Sequence, residues 1–466
     1  MSYSKALKKI YELSPIYIQN FFVTAQGFRL KRKKYGRFFE HYFEELSRMQ
    51  WLPLEELIEI QNRKLREIIN WAYSTVPYYR EIFDRLNLKP ADIKTVSDLH
   101  KLPIIDKETV RKNTMAFVSE KYPLRKATVF HTSGTTGKPL TIFVSQNCYQ
   151  REYAFRWLHY SWGGIYRGDK IATLAGHPVV TINQTKPPFW RYNLSENQLI
   201  FSSQHISSSN LPYYIDALIR FQPNMIHGYP SSIYLIAKYI VNNRITDIKP
   251  KAIFTASETL LEFQRKVIEN AFGCKVYNWY GNTEMVSHAT ECELGNMHNQ
   301  LLHSVIEIVN ENGEPVRDGE EGVIVGTGLD NYAMPLIRYK VGDTAQFLAY
   351  RNCECGRGYP IIGGIIGRVE DYVVTPEGRF VGRLDHVFKE NLNVKEAQII
   401  QEDIAHLKIK IVKDENFGDE DMKKIISGLI NRLGNRMNFE FEFVNEIPRE
   451  KNGKFRFVIS KVKINL

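Results

Sequence analysis

Hydrophobic residues recur at helical spacing through the first hundred positions of the chain. Between residues 54 and 72 they fall three or four positions apart, and the pattern stops at Val76-Pro77, where proline interrupts a helix. From about residue 100 to 365, short runs rich in Val and Ile alternate with helical stretches. This alternation predicts an α/β fold with a mixed or parallel sheet, whose ligands collect beyond the carboxyl ends of the strands. The predicted strands include 127–131, 171–174, 224–227, 252–255 and 276–279.

A second unit is expected near the end of the chain. The glycine-dense stretch 356–367 marks a boundary, and the pattern after it is that of an α+β unit with strands at 408–412 and 439–444. We therefore predict three parts: an amino-terminal segment 1–37, a large α/β domain 38–367 with mixed sheets and flanking helices, and a small α+β domain 368–466.

Positive charge is concentrated at the amino terminus. The 466 residues carry a net charge of +10, and residues 1–37 account for eight of these charges. The remainder is nearly neutral, with no extended basic stripe, which argues against nucleic acid as a partner. The segment 1–37 mixes Lys and Arg with Ile, Tyr and Phe. This mixture suits peripheral contact with an anionic membrane or docking on a membrane enzyme, and equally a solvated helix that caps the large domain.

Cysteine usage and the lack of long apolar runs bear on the compartment. Five cysteines, an odd number in a long chain, argue against a secreted disulfide framework. No run approaches the ~20 apolar residues of a membrane span, and the first residues lack the order of a signal peptide. We expect a cytoplasmic protein, with peripheral contact at the inner face of the membrane through residues 1–37 as a further expectation.

The sharpest local signal is a glycine-rich loop, His131-Thr-Ser-Gly-Thr-Thr-Gly-Lys-Pro139, directly after a predicted strand. Its glycines permit a tight turn, and its hydroxyls, successive N–H groups and Lys138 together form a phosphate cradle. It is not a Walker A loop, because only two residues separate Gly134 from Gly137 and a proline follows the lysine. A Ser/Thr/Gly linker is the alternative interpretation.

This loop resembles the phosphate loop of the adenylate-forming superfamily, which includes acyl-CoA synthetases and peptide-synthetase adenylation domains. Five further motifs follow in the family's order, and the later ones most resemble the phenylacetate-CoA ligase branch with its CapK-type capsular polysaccharide members. The motifs are Ala256-Ser-Glu258, Tyr277-Asn-Trp-Tyr-Gly-Asn-Thr-Glu284, Arg338-Tyr-Lys-Val-Gly-Asp343, Gly367-Arg-Val-Glu-Asp371 and Pro448-Arg-Glu-Lys-Asn-Gly-Lys454.

The resemblance implies a large adenylation domain and a mobile lid domain that together bind ATP and Mg²⁺. It implies that Glu284, with Thr135, serves Mg²⁺, that Asp343 accepts the ribose hydroxyls, and that Tyr280 stacks on adenine. Arg368 is expected at the ribose or phosphates. The complete expected ATP site is Thr132, Ser133, Gly134, Thr135, Thr136, Gly137, Lys138, Ser257, Glu258, Tyr280, Gly281, Thr283, Asp343 and Arg368.

The small domain is expected to carry the catalytic cation. Lys454 follows the turn residues Asn452-Gly453, and by the resemblance it joins Thr135, Glu284 and Arg368 as a catalytic residue. A solvated lysine in a basic tail is the alternative. Asp371 matches the hinge about which family members rotate the small domain. The chain then departs from the branch's usual Arg-Gly-x-Asn-Val-x-Pro segment, which leaves CoA uncertain as the acceptor.

The expected reaction is the activation of a carboxylic acid as acyl-AMP, followed by acyl transfer to a thiol or amine on CoA, a carrier protein or an amino sugar. Surface polysaccharide biosynthesis is the expected setting. A phenylacetate- or aryl-CoA ligase proper is one alternative, and a non-catalytic assembly component of a polysaccharide pathway is another. His177, His227 and Gly228 lie where the family places its acyl pocket, although such histidines are often purely structural.

Four residues form a candidate zinc site. Cys292, His298, Cys353 and Cys355 offer three thiols and an imidazole, a set that suits tetrahedral Zn²⁺. The two halves are far apart in the chain, so the spacing leaves buried reduced cysteines as the alternative.

Overall fold

The computed structural model describes residues 5–131, 140–181, 183–349, 351–366, 373–376, 380–381, 384–388, 393–448 and 457–462. Helix α4 begins after Pro53 and ends before Val76-Pro77, as the hydrophobic spacing predicts. The α-helices of the described residues are α1 (Lys5–Leu13), α2 (Ile16–Lys34), α3 (Phe39–Met49), α4 (Leu54–Thr75), α5 (Pro77–Arg85), α6 (Lys107–Lys112), α7 (Gln146–Trp162), α8 (Leu211–Phe221), α9 (Pro230–Asn242), α10 (Glu262–Phe272) and α11 (Asp419–Leu433).

The strands of the described residues are β1 (Thr128–His131), β2 (Thr141–Val144), β3 (Ile171–Leu174), β4 (Trp190–Asn193), β5 (Gln198–Phe201), β6 (Met225–Gly228), β7 (Ala252–Ala256), β8 (Val276–Gly281), β9 (His288–Glu291), β10 (Met297–Asn299), β11 (Ser304–Val309), β12 (Glu321–Gly328), β13 (Tyr339–Gln346), β14 (Ile365–Ile366), β15 (Val373–Val374), β16 (Phe380–Val381), β17 (Val394–Gln401), β18 (His406–Lys413), β19 (Asn438–Phe443) and β20 (Val458–Ser460). The five strands that the sequence pattern predicts before residue 300 are present, with ends shifted by at most two residues.

An eight-stranded sheet forms the centre of the molecule, in the order β10-β9-β8-β7-β6-β3-β5-β4. The middle strands β8, β7, β6, β3 and β5 are parallel, and the remaining pairs are antiparallel. The prediction of a mixed α/β architecture is therefore confirmed. Parallel order brings the carboxyl ends of the middle strands to one edge, where a crevice for ligands is expected.

Helices cover both faces of this sheet. Alternate residues of a strand point to opposite faces, and in β7 Ile253 packs with α8, α9 and α10 while Ala252 and Phe254 pack with α3 and α7. The central strands are therefore buried on both sides, which explains why they read as short continuous apolar runs rather than alternating ones.

The first predicted strand, β1, belongs to a separate hairpin. It pairs antiparallel with β2, with His131 opposite Thr141, instead of joining the eight-stranded sheet. A second sheet, β11-β12-β13-β14, lies beside it and shares a core with the hairpin and with α4 and α5.

The carboxyl-terminal residues have a core of their own. Strands β19-β18-β17-β20 form a sheet, and α11 packs on it through Ile425, Leu429 and Leu433. Strands β18 and β19 fall where the sequence predicts strands at 408–412 and 439–444. The division at residue 367 and the hinge at Asp371 stay predictions, because the hinge lies outside the described residues.

Helix α2 packs along β4 through polar contacts. The Arg191 side chain donates to Gln19 Oε1 at 2.6 Å, and Lys31 Nζ donates to the Ser195 carbonyl at 2.9 Å. Gly27 faces Asn193 and Ser195 so closely that a Cβ there would overlap their side chains. The amino-terminal segment is thus fixed to the large α/β unit. Within the described helices, no stretch has both the length and the apolar character that crossing a membrane requires.

Candidate functional site

The predicted ligand-binding residues gather at the carboxyl edge of the parallel strands. His177 follows β3, Gly228 ends β6, Ser257 follows β7, and Tyr280 lies near the end of β8. These positions are separated by up to a hundred residues in the chain, and the parallel order of the strands brings them to the same edge. The loop after β8 carries Glu284.

Tyr280 and Asp343 are in direct contact. The phenolic oxygen of Tyr280 donates to Asp343 Oδ2 at 2.8 Å, which joins the end of β8 to β13. Burial, and secondarily the Asp343 carboxylate, raise the pKa of Tyr280 well above its usual value. The phenol therefore stays protonated and acts as a donor, and it fixes one oxygen of a carboxylate that the family resemblance places at the ribose.

Glu284 is held by a neighbour that the sequence did not single out. Tyr339, the first residue of β13 and 1% exposed, donates from its hydroxyl to Glu284 Oε1 at 3.0 Å. The side chain of Asn282 bridges the same loop, accepting from the N–H of Val286 at 3.0 Å. Tyr339 follows Arg338 in a quoted motif, so its place in that motif was the signal that could have identified it.

Ser257 and Glu258 form a sharp turn after β7. Ser257 has φ of +71°, a left-handed conformation that is uncommon for a residue with a side chain. The Glu258 carboxylate accepts from the N–H of Ser231 at 3.2 Å, at the start of α9. A carboxylate is favourable at a helix amino terminus. Glu258 thus ties the turn to α9, next to the expected adenine site.

The three expected acyl-pocket residues surround the end of β6. A Cβ on Gly228 would overlap the carbonyl of Leu174, so glycine permits close packing of β6 on β3. His227 is half-buried, its buried Nε2 has no hydrogen-bond partner among the described residues, and desolvation lowers its pKa to about 3. Desolvation also lowers the pKa of His177, although its side chain is exposed to solvent.

The four candidate zinc ligands converge. Their ligand atoms all lie within 4.8 Å of one another, with Cys292 Sγ 3.8 Å from Cys353 Sγ and Cys355 Sγ 3.4 Å from His298 Nε2. A regular tetrahedron with Zn–S bonds of about 2.3 Å has S···S edges of about 3.8 Å. The spacing of the sulfurs therefore fits a single tetrahedral ion.

The surroundings of this cluster orient its ligands. His298 Nδ1 donates to the Tyr359 carbonyl at 2.8 Å, which leaves Nε2 toward the cysteines. Asn296 donates from its side chain to Cys353 Sγ at 3.3 Å. Such outer contacts are usual around metal-bound histidine and thiolate ligands. Cys292 directly follows β9, and His298 lies in β10. The cluster therefore borders β9, which pairs with β8, the strand that carries Tyr280.

Comparison with known proteins identifies the family. A model of the AMP-binding enzyme family matches residues 81–331, and a model of the CapK C-terminal domain matches residues 373–461. Protein CapK of Staphylococcus aureus is 33% identical over 98% of this chain and 100% of its own length. The chain belongs to the adenylate-forming, AMP-binding enzyme family. The predicted membership, including the relation to CapK, is confirmed.

More distant relatives of this adenylate-forming ligase are named as coenzyme A ligases. The phenylacetate-coenzyme A ligases of Thermus thermophilus and Escherichia coli are 26% and 27% identical, over 70% and 65% of this chain and 73% and 70% of their own lengths. A crystal structure of 2-hydroxyisobutyryl-CoA ligase with 2-HIB-AMP and CoA matches with a TM-score of 0.62 and 20% identity, covering 89% of this chain and 92% of that one. At this identity the match supports the fold.

Several expected site residues of the ligase lie outside the described residues. They are Thr132, Ser133, Gly134, Thr135, Thr136, Gly137, Lys138, Arg368, Asp371 and Lys454. Of the remaining expected residues, the structure brings Tyr280 and Asp343 together directly, and it places Thr283 and Glu284 in the loop after Gly281. The roles of all these residues stay predictions.

Proposed function

We propose that this ligase activates a carboxylic acid with ATP. An oxygen of the carboxylate attacks the α-phosphorus, the bond to the β-phosphate oxygen breaks, and acyl-AMP and pyrophosphate result. The observation that carries the proposal is the Tyr280–Asp343 pair at the carboxyl edge of the parallel strands. Tyr280 lies within the AMP-binding match, residues 81–331, and Asp343 lies between that match and the CapK C-terminal match, residues 373–461. Both reactants are anionic, so the protein contributes mainly by positioning and by stabilising charge.

Each group has a distinct part in this scheme. Asp343, oriented by Tyr280, accepts the ribose hydroxyls, and the Tyr280 ring stacks on adenine. Glu284, oriented by Tyr339, offers carboxylate oxygens of the kind that Mg²⁺ prefers. Bound Mg²⁺ neutralises charge on the phosphates. The sequence motifs alone assign the loop from Thr132 to Lys138 to the phosphates, Arg368 to the ribose or phosphates, and Lys454 to the role of catalytic cation.

Acyl transfer to an acceptor completes the reaction. The relatives named phenylacetate-coenzyme A ligase support a CoA thiol, whereas the departure from their sequence after Asp371 favours an amine or a carrier-protein thiol. CapK is similar over its whole length, which supports a place in capsular or other surface polysaccharide biosynthesis.

Pyrophosphate exchange tests the proposal. Purified protein is incubated with ATP, labelled pyrophosphate and members of a panel of aryl, fatty, amino and dicarboxylic acids. Exchange that depends on one class of acid is the expected result, and an Asp343→Ala variant should not exchange. A protein that binds ATP yet exchanges with no acid would favour the non-catalytic assembly role instead. Adding CoA or an amino sugar to an active pair then identifies the acceptor.

A structural zinc ion is part of the proposal. The distances among Cys292, His298, Cys353 and Cys355 support a closed site with four protein ligands, and a closed site leaves no position for substrate. Such an ion would hold the loop after β9 to the segment 353–355. Its expected role is therefore to stabilise the edge of the sheet at β9 and β10 and not to take part in the chemistry.

We also propose peripheral membrane contact through the amino-terminal helices. The side of α2 that packs on β4 is largely polar, while large apolar residues of α1 and α2 face solvent. We call these the apolar stripe; Leu13, Tyr17 and Phe21 are its most exposed members, at 77%, 73% and 69%. The stripe consists of Leu7, Ile10, Leu13, Tyr17, Phe21 and Phe28.

Basic residues near the apolar stripe indicate that an anionic surface would cover it. Lys9, Arg29, Arg32, Lys33 and Arg37 are exposed on the same two helices and the turn that follows. Apolar side chains flanked by basic ones suit the interface of an anionic bilayer, where apolar burial and electrostatic attraction add. The expected location is thus the inner face of the membrane, where an acceptor on a lipid-linked sugar would be within reach.

A further inference from the structure

Arg156 is a half-buried arginine of α7 that lies against Trp279, near the expected acyl pocket. It projects from α7 toward β8, and its guanidinium carbon is 4.2 Å from the centre of the Trp279 ring and 5.0 Å from that of Tyr153. Nε donates to Glu152 Oε1 at 3.1 Å. Among the described residues, none accepts a hydrogen bond from its two terminal nitrogens.

A buried network holds this arginine in place. Glu152, whose side chain is 5% exposed, receives Nε of Arg156 on one oxygen and faces His303 Nε2 at 3.1 Å and His288 Nδ1 at 3.5 Å with the other. His288 in turn stacks on Trp279, with ring centres 5.3 Å apart. Both oxygens of the Glu152 carboxylate therefore have partners. The Arg156 side chain is 29% exposed, and its terminal nitrogens face solvent.

The position of Trp279 separates two subsites. Successive strand residues point to opposite faces, so Trp279 and Tyr280 lie on different sides of β8. Tyr280 reaches Asp343 on the nucleotide side. Trp279 faces α7, the side on which Tyr160 and His227 also meet, with ring centres 6.0 Å apart. Arg156 thus belongs to the acyl side of the site and not to the phosphate side.

On the Trp279 face of β8, the polar groups that still lack a hydrogen-bond partner among the described residues are mainly donors. Trp279 Nε1, which can only donate, is buried and has no partner within the part of the chain that the structure describes. Desolvation first, and then the Arg156 charge, lower the pKa of His227. The other nearby acid, Glu196, already receives Lys34 Nζ and the Tyr35 hydroxyl, each at 3.0 Å.

We infer that the substrate is a dicarboxylic acid, whose first carboxylate reacts with ATP and whose second carboxylate is bound by the Arg156 guanidinium. The two terminal nitrogens of arginine match two carboxylate oxygens side by side. Phenylacetate has no group that would use this fork. This inference deepens the proposed function and rests on it.

Analogues of the acyl-adenylate test the inference without requiring turnover. Acyl sulfamoyl adenosines are prepared in matched pairs that differ by a distal carboxylate: glutaryl against pentanoyl, and 4-carboxyphenylacetyl against phenylacetyl. Their affinities are measured by calorimetry for the wild type, Arg156→Gln and Arg156→Lys. Arg220→Gln, which removes an exposed arginine of α8, is the matched control.

The carboxylated member of at least one pair should bind the wild type at least tenfold more tightly. Arg156→Gln should remove this preference, Arg156→Lys should keep part of it, and Arg220→Gln should keep all of it. Equal affinity within both pairs, or a preference that survives in Arg156→Gln, would overturn the inference while leaving adenylation intact. Failure of every analogue to bind would count against the adenylation site, and the inference would fall with it.

Discussion

Tyr280 donates a hydrogen bond to Asp343 across 2.8 Å and so links the motif at the end of β8 to the motif in β13. A neutral hydrogen bond contributes about 1 kcal/mol, and one to a charged group, such as the Asp343 carboxylate, contributes more. Because Tyr280→Phe keeps the ring but releases Asp343, ATP affinity measured by calorimetry should fall by about three- to thirtyfold.

Asp343→Asn should weaken ATP binding further, since the amide cannot accept at both positions. Tyr166→Phe, at an exposed tyrosine far from the site, is the control. Wild-type ATP affinity in Tyr280→Phe would show that the contact does not orient the nucleotide site.

Lys454 is the expected catalytic cation of the small domain. Its charge would act on the developing negative charge of the reaction, so Lys454→Ala should abolish pyrophosphate exchange while ATP still binds. The control is Lys461→Ala, because Lys461 pairs with Glu402 at 2.6 Å at the edge of the small domain. Near-normal pyrophosphate exchange by Lys454→Ala would show that Lys454 is an ordinary solvated lysine and not the catalytic cation.

The fold was predictable where the signal is local. Apolar runs followed by Gly or Pro fixed the parallel strands to within two residues, and their order placed Ser257 and Tyr280 at one edge. Arg156 was not predictable, because Glu152 and Arg156 four positions apart look like a surface ion pair of a helix. Only the packing of α7 on β8 buries Glu152 and leaves Arg156 half-buried.

Contacts between residues far apart in the chain were likewise not predictable from the sequence pattern. The two halves of the Cys292–Cys355 cluster are brought together by the loop after β9, and nothing in their spacing specifies that contact. The amino-terminal helices were recognisable as basic and apolar, but which face packs inward depends on the polar surface of β4. That surface leaves the apolar stripe in solvent.

Metal analysis of the purified protein tests the cysteine cluster. One equivalent of zinc is expected, and its removal by a chelator should lower the thermal unfolding midpoint, since binding energy at a closed site contributes to folding. Cys355→Ser should lose the metal, whereas Cys274→Ser, at a cysteine outside the cluster, should retain it. Less than about a tenth of an equivalent in wild-type protein would indicate buried reduced cysteines.

Vesicle sedimentation tests the apolar stripe. A triple variant with Leu13, Tyr17 and Phe21 replaced by Ser should bind vesicles of phosphatidylglycerol and phosphatidylethanolamine at least about 100-fold more weakly, because each large apolar side chain contributes about 1.5–3 kcal/mol when fully buried. Serine at the exposed residues Met115, Tyr166 and Ile404 provides the matched control. Equal sedimentation of both triple variants, or no binding by the wild type, would exclude the stripe as a membrane contact.

Three histidines make the stability of the large α/β unit depend on pH: His159 and His288 are buried, and His227 is half-buried. Burial lowers the pKa of His159 and His227 to about 3 and that of His288 to about 4, whereas each titrates near 6.5 when unfolded. Below about pH 6.5 the unfolded chain therefore binds more protons than the folded one, and stability falls as the pH falls. Each histidine contributes up to about 1.4 kcal/mol per pH unit until its folded pKa is reached. The thermal midpoint should decrease steadily from pH 7 to pH 5, and His227→Phe should reduce the slope by about one proton. A slope that is unchanged in this variant would mean that His227 is already protonated in the folded protein.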